Sequence, residues 1–244
     1  MGRALELARQ AHGTSPNPPV GAVLVKDGRV VGEGYTRPPG GPHAERVALQ
    51  EAGDEARGAI LYVTLEPCSH TGRTPPCTDA IIQAGVRQVH MALLDPNPVV
   101  HGGGVRALAA GGVTVVTDPI DGAEELIEPH AIYSVEGRPF VVLALGLNGD
   151  LPGELEQRFD QSIPSGGEVD LLVQSISDAS KSSYLVLASK DWESEPEVRE
   201  ILKLGLVDKV LAAPKTVLPP GFQVTDRRTT PEPHIIAYPS PTEA

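Results

Sequence analysis

Only two cysteines, Cys68 and Cys77, occur in 244 residues, too few for the disulfide framework that staples small secreted domains. No apolar run approaches the ~20 residues needed to span a bilayer. The N-terminus shows no signal-peptide pattern and reads as an amphipathic helix around Ala4, Leu5, Leu7 and Ala8. A cytoplasmic, reducing setting with no membrane partner is expected. Positive charge is scarce as well: 20 Lys and Arg stand against 32 Asp and Glu, a formal net charge of -12. That argues against a nucleic-acid surface, because phosphate binding needs clustered Lys and Arg. A phosphate loop is also missing, since no Lys-Ser/Thr follows Gly102-Gly103-Gly104, which reads as a turn before a helix. The shortage of base is local. Residues 1–120 hold 10 basic and 11 acidic side chains, leaving 10 and 21 for residues 121–244, so two regions under different constraints are expected.

What the chain does hold is a concentration of metal-binding groups between His43 and Cys77. It reads His43-Ala44-Glu45, then Glu66-Pro67-Cys68-Ser69-His70-Thr71-Gly72-Arg73-Thr74-Pro75-Pro76-Cys77. A catalytic zinc site wants three nitrogen or sulfur ligands, an open position, and a carboxylate that moves protons without binding the metal. His-x-Glu followed by Pro-Cys and a second Cys is the zinc deaminase pattern, although eight residues separate the cysteines here instead of two. Two buried thiols, a disulfide or a structural zinc corner are the milder readings. Against them, His43, Glu45 and both Pro-Cys pairs agree at once. Pro42 and the helical run 44–52 put His43 and Glu45 in the first turn of a helix. Cys77 opens the run that Gly85 closes, and a helix N-terminus there should lower its thiol pKa.

Around this stretch the pattern alternates. Residues 3–12 read as a helix, and residues 14–19 as a proline-braced loop. Residues 20–25 and 30–35 read as a hairpin about Lys26-Asp27-Gly28-Arg29. Strands at 60–64, 89–94 and 113–116 then alternate with helices after His43, after Cys77 and at 105–110. Such alternation predicts an α/β domain with helices on both faces of a sheet. His12, His90 and His101 read as structural or solvent-facing.

With these residues in view, the chain resembles the bifunctional riboflavin-biosynthesis deaminase/reductase family. The segments that carry the resemblance are Thr14 to Gly21, His43-Ala44-Glu45, Glu66 to Cys77 with Gly72-Arg73-Thr74-Pro75-Pro76 inside it, and Asp95-Pro96-Asn97-Pro98. The resemblance is dense over about the first 117 residues. It implies a cytidine-deaminase-like three-layer α/β/α domain, a phosphoribosylated pyrimidine partner, and hydrolytic loss of the exocyclic amine of diaminohydroxyphosphoribosylaminopyrimidine. His43, Cys68 and Cys77 would hold Zn²⁺, whose charge lowers the pKa of a water from ~15.7 towards ~7. Glu45 would carry the protons. The resemblance implies substrate contacts from Asn17, Asp95 and Asn97, and His70 and Arg73 are placed for the ribose phosphate. The milder reading of Asp95 to Pro98 is an ordinary turn, and Asn17 could cap its own loop. One departure is Thr36 after Gly34-Tyr35, where the family tends to carry a His.

The resemblance thins beyond residue 120. Domains are expected at 1–120 (deaminase), 121–137 (linker helix), 138–228 (a reduced, dihydrofolate-reductase-like α/β domain) and 229–244 (an extended, proline-rich tail). Arg138-Pro139-Phe140-Val141 matches the opening of the family's reductase, but Ala144 stands at the Lys position and Asn148 at the Ser position, with Asp150 in register. Glu193-Ser194-Glu195 replaces a Glu-Gly-Gly, so acid stands where a phosphate would be received. NADPH contacts are therefore not expected. Strands are expected at 139–145, 171–176, 184–188 and 208–212, with the second domain supporting a homodimer. Three readings follow: a deaminase with a silent second domain, a bifunctional enzyme with an unusual reductase site, and a zinc-stabilised scaffold. Glu45 beside a full ligand set disfavours the third, and Ala144 the second.

Overall fold

A computed structural model describes residues 1–72, 75–145, 161–164, 184–189, 192–213, 216–228 and 234–239. The chain divides into two compact units, Met1–Val135 and Glu136–Ala244. In the first, helix α1 (Gly2–Arg9) is followed by the hairpin β1 (Gly21–Lys26) and β2 (Arg29–Tyr35). Asp27 and Gly28 both take positive φ, 50° and 75°, the backbone a two-residue hairpin turn requires. Then come α2 (Ala44–Ala52), β3 (Ile60–Leu65), α3 (Cys77–Ala84), β4 (Gln88–Leu93), α4 (Gly103–Ala110), β5 (Thr114–Thr117) and α5 (Ala123–Glu136). The sheet order is β2-β1-β3-β4-β5, with β1 antiparallel to both neighbours and β3, β4 and β5 parallel.

Both faces of this sheet are covered, as the alternation predicted. On one face Ala22, Leu24, Leu61, Val63, Val89 and Met91 meet Ala44 and Ala48 of α2, Ile81 of α3 and Leu108 of α4. On the other, Ala4 and Leu7 of α1 meet Val23, while Leu5 and Ala8 meet Ala92 and, from α5, Ala123 and Leu126. Fully burying one such leucine stabilises the fold by roughly 1.5–3 kcal/mol. The position of α2 depends on small residues. A Cβ on Gly32 or Gly34 of β2 would collide with the α2 backbone at Ala48 and Ala44, so bare backbone lets the helix lie directly on the hairpin. That contact fixes where α2 begins, and therefore where His43 and Glu45 stand.

In the second unit, β6 (Phe140–Leu145) runs parallel to β8 (Tyr184–Ser189) and β9 (Lys209–Ala212). All six β6 residues are buried, the pattern of a strand covered on both faces. Helix α6 (Pro196–Lys203) lays Val198 and Ile201 against Val141, Leu143, Leu145, Val210 and Ala212. With β7 (Gln161–Pro164), β10 (Phe222–Arg228) and β11 (His234–Pro239), the described sheet reads β10-β11-β9-β6-β8-β7.

Two expectations need revision. Residues 234–239 do not form a tail: they are β11, paired antiparallel with both β9 and β10. The prolines there bound an apolar, β-branched run (His234-Ile235-Ile236-Ala237-Tyr238), and proline at a strand's end is compatible with pairing. Strand β7 at 161–164 was not expected either. The strand expected at 171–176, Asn148 and Asp150 lie outside the described residues. Among the described residues, no helix is long and apolar enough to cross a membrane.

Candidate metal centre and substrate cleft

Three segments of the first unit converge on one point. His43 is the N-cap of α2, one position earlier than expected, with extended backbone (φ -70°, ψ 160°). Cys77 is the first residue of α3, after Pro76 at its N-cap. Cys68 follows β3 and is held against α3 by two bonds: the Cys77 N–H donates to its Sγ at 3.4 Å, and the Thr78 N–H to its carbonyl at 3.2 Å. His43 Nδ1 lies 3.6 Å from Cys68 Sγ and 3.4 Å from Cys77 Sγ, and all three donor atoms fall within 4.8 Å of one another. Tetrahedral zinc with ordinary Zn–N and Zn–S lengths separates N and S donors by about 3.5 Å. One imidazole and two thiols at these distances therefore fit zinc, and both cysteines are free of a disulfide.

The electrostatics of the metal-free cluster differ from the expectation at Cys77. Its thiol is pushed up, first by its hydrogen bond to Cys68 and then by burial, with the Glu45 charge adding to both. Cys68 is pulled down to about 4, chiefly by the hydrogen bond from Cys77. Two thiols in contact share a proton, and the deeper one beside a carboxylate keeps it, so the helix N-terminus does not decide the matter. His43 is raised, first by its hydrogen bond to Cys68. Glu45 is buried and its carboxyl raised, with desolvation the largest cause.

A cleft of about 280 Å³ opens beside this centre, lined among others by Asn17, His43, Glu45, Cys68, His70, Asp95 and Asn97. Five of the residues singled out in the sequence for proton transfer or substrate contact thus line one cleft with His43 and Cys68. Arg73 lies outside the described residues. Asp95 and Asn97 do form the turn that was the milder reading: the Asn97 N–H donates to Asp95 Oδ1 at 2.9 Å and the Val99 N–H to Asn97 Oδ1 at 3.0 Å. Turn and cleft wall are the same residues. Thr36 also lines the cleft, but its hydroxyl is engaged with the Val20 backbone, whose N–H lies 3.1 Å away. His101 sits against the Asp95 carbonyl at 2.9 Å, and His90 against Asp118 at 3.4 Å.

Two residues escaped the sequence reading. Glu66, quoted only as part of the motif, accepts backbone N–H bonds from Asp95, Gly102, Gly104 and Val105 at 2.8–3.2 Å. Its buried carboxylate caps α4 and fastens the Asp95 loop to the end of β3. Only its proximity in the fold to the triple glycine reveals this. The other is His130 of α5, whose Nε2 lies 3.1 Å from Asp95 Oδ1. Its signal was the spacing His130, Tyr133, Ser134, which puts three polar groups on one helical face. All three line the cleft.

Residues 1–93 match the cytidine and deoxycytidylate deaminase zinc-binding region. The first unit is a zinc-binding deaminase domain of that class, and its cofactor is zinc. Within the class, the chain is similar to the riboflavin biosynthesis proteins of the RibD group. It is 51% identical over 155 residues to RibD of Aquifex aeolicus, covering 62% of this chain and 44% of that protein. To the chloroplastic riboflavin biosynthesis protein PYRD of Zea mays it is 41% identical over 210 residues, covering 80% and 52%. The alignments span about half or less of these curated relatives. A solved RibD of Acinetobacter baumannii superposes with a TM-score of 0.76 at 26% identity, over 98% of this chain and 97% of that one. A Thermotoga maritima protein, described as a diaminohydroxyphosphoribosylaminopyrimidine deaminase/5-amino-6-(5-phosphoribosylamino)uracil reductase, superposes at 0.74 with 25% identity and the same coverage. The fold expectation, a cytidine-deaminase-like domain followed by a second α/β domain, agrees with these matches.

Proposed function

We propose that this chain catalyses hydrolytic deamination of diaminohydroxyphosphoribosylaminopyrimidine in riboflavin biosynthesis, and that its second unit carries no reductase chemistry. The observation that carries the first half is a buried carboxylate, Glu45, lining the same cleft as His43 and Cys68, two of the three donors spaced for zinc. In this reading His43, Cys68 and Cys77 hold zinc, which supplies the Lewis acidity that lowers the pKa of a water. Glu45 would take one proton from that water and deliver it to the ring nitrogen beside the attacked carbon, then take the proton of the added hydroxyl and give it to the leaving amine as the carbonyl forms. Water adds and ammonia departs, so no redox partner is consumed. Burial raises the Glu45 carboxyl toward the range in which one group can both accept and give a proton.

Asp95, Asn97 and Asn17, which also line the cleft, supply polar contacts to the heterocycle or ribose. His70 at the cleft rim and Arg73 between the cysteines take the phosphate. Against a reductase stands Ala144, buried near the C-terminal end of β6 and paired with Ala188 and Leu211, which offers neither a cation nor a side-chain hydrogen bond. The resemblance also supports a cytoplasmic homodimer, which sedimentation of the purified chain tests. The function itself is tested by following ammonia release and NADPH oxidation in one tube with the zinc-loaded chain. Ammonia without NADPH consumption is expected. Consumption of NADPH overturns the silent second unit, and absence of ammonia overturns the substrate.

A further inference from the structure

The mechanism above makes no use of His130, yet it is one of the more deeply placed polar side chains of the cleft, with only 12% of its side chain exposed. It comes from α5, beyond the last residue of the matched zinc-binding region. Its Nε2 faces a carboxylate oxygen, which only accepts, so Nε2 must carry the hydrogen and donate to Asp95 Oδ1. That oxygen already accepts the Asn97 N–H. With both bonds on Oδ1, Asp95 Oδ2 has no hydrogen-bond partner among the described residues, on a side chain that lines the cleft.

Three further contacts fix this arrangement. The Asp95 N–H is held by Glu66 and its carbonyl by His101, so the backbone cannot swing. The turn of α5 that bears the imidazole is tightened by Ser134, whose hydroxyl donates to the His130 carbonyl at 2.7 Å. Finally, His130 Nδ1 is buried without a hydrogen-bond partner, so nothing in the described structure turns the ring away from Asp95.

Resting on the deaminase reading above, we infer that His130 is a positioning residue for substrate selection. It pins Oδ1 of Asp95 so that Oδ2 is presented as an acceptor for a ligand bearing paired donors, such as a ring N–H beside an exocyclic amine. The helix that leads into the second unit thereby supplies one wall of the deaminase cleft, with Tyr133 beside it. A ligand lacking donors at that edge leaves Asp95 Oδ2 desolvated and unpaired, and is rejected.

The test uses the zinc-loaded 244-residue chain and initial rates of ammonia release for His130→Ala, His130→Gln, Asp95→Asn and the Asp95→Asn/His130→Ala double variant. Losing a hydrogen bond that orients a charged group raises KM of His130→Ala roughly tenfold or more, with kcat within about twofold and zinc content unchanged. His130→Gln recovers most of the loss, because its amide N–H reaches about the place of the imidazole Nε2–H. In the Asp95→Asn background, His130→Ala adds less than about twofold, since His130 acts through Asp95. An unmoved KM in His130→Ala, fully additive losses, or a Gln variant no better than Ala overturns the proposal. A second readout does not depend on turnover. Imidazole ¹⁵N spectra should show His130 with hydrogen on Nε2 in the wild type, with that signal shifted in Asp95→Asn. If the wild type releases no ammonia, the deaminase reading fails and the spectra alone judge the pair. An unchanged His130 signal in Asp95→Asn then overturns it.

Discussion

Zinc loading should expel protons. In the metal-free cluster Cys77 and His43 both hold theirs more tightly than usual, Cys77 through its bond to Cys68 and through burial, His43 through its bond to Cys68. Zinc accepts only thiolate and neutral imidazole, so binding releases what these groups hold. The sign follows: raised pKa values mean that affinity is greatest at high pH and falls as pH is lowered from 8 to 6. Chelator competition at the two pH values, with a dye reporting proton release, checks this. An affinity independent of pH would contradict the proton inventory. This much of the site was legible in sequence, because His-x-Glu and two Pro-Cys pairs are local patterns that ligand chemistry dictates. Which thiol keeps the proton was not, because relative burial and the Glu45 contact are tertiary facts.

At the scale of elements, the cleft is held open by connections more than by helices and strands. Glu66 gathers four backbone N–H groups from the β4–α4 connection and the start of α4. Glu66→Gln turns an amide N–H toward donors it cannot accept from, leaving at least one buried donor unpaired. A loss of about 2 kcal/mol in stability is expected, together with a raised KM as the Asp95 loop loosens. Melting curves and initial rates measure both, and an unchanged melting temperature would show that the carboxylate does not hold the wall.

The hairpin was readable because Asp27-Gly28 between alternating apolar runs leaves the backbone little choice. Strand β11 was missed because its prolines look like those of an unstructured tail until β9 and β10 are seen on either side of it. His130 was missed for a related reason: a helix read as a linker gives no hint that one of its faces reaches a carboxylate 35 residues away.

For the whole molecule, the deaminase chemistry is expected to be separable from the second unit. Every described residue lining the cleft belongs to Met1–Val135. In the second unit, Asp208 accepts two guanidinium bonds from Arg138, at 2.7 and 2.6 Å, and the Val141 N–H at 2.8 Å, tying the start of β6 to the start of β9. Asp208→Ala removes all three and should cost that unit about 2–3 kcal/mol, more than an exposed pair would. The only tryptophan, Trp192, is partly buried against the same core, so its fluorescence during urea unfolding reports this loss directly. Ammonia release per bound zinc should stay within about twofold of the parent. A proportional fall in turnover would mean that the second unit takes part in the chemistry.

The most direct measurement compares Glu45→Gln with the parent chain at matched zinc content, reading ammonia from the diaminopyrimidine ribosyl phosphate. Removing a general acid and base typically costs about 10²–10⁴-fold in rate. The predicted result is full zinc occupancy with kcat reduced by at least that lower bound. Turnover retained with zinc in place would take Glu45 out of the proton path and contradict the mechanism.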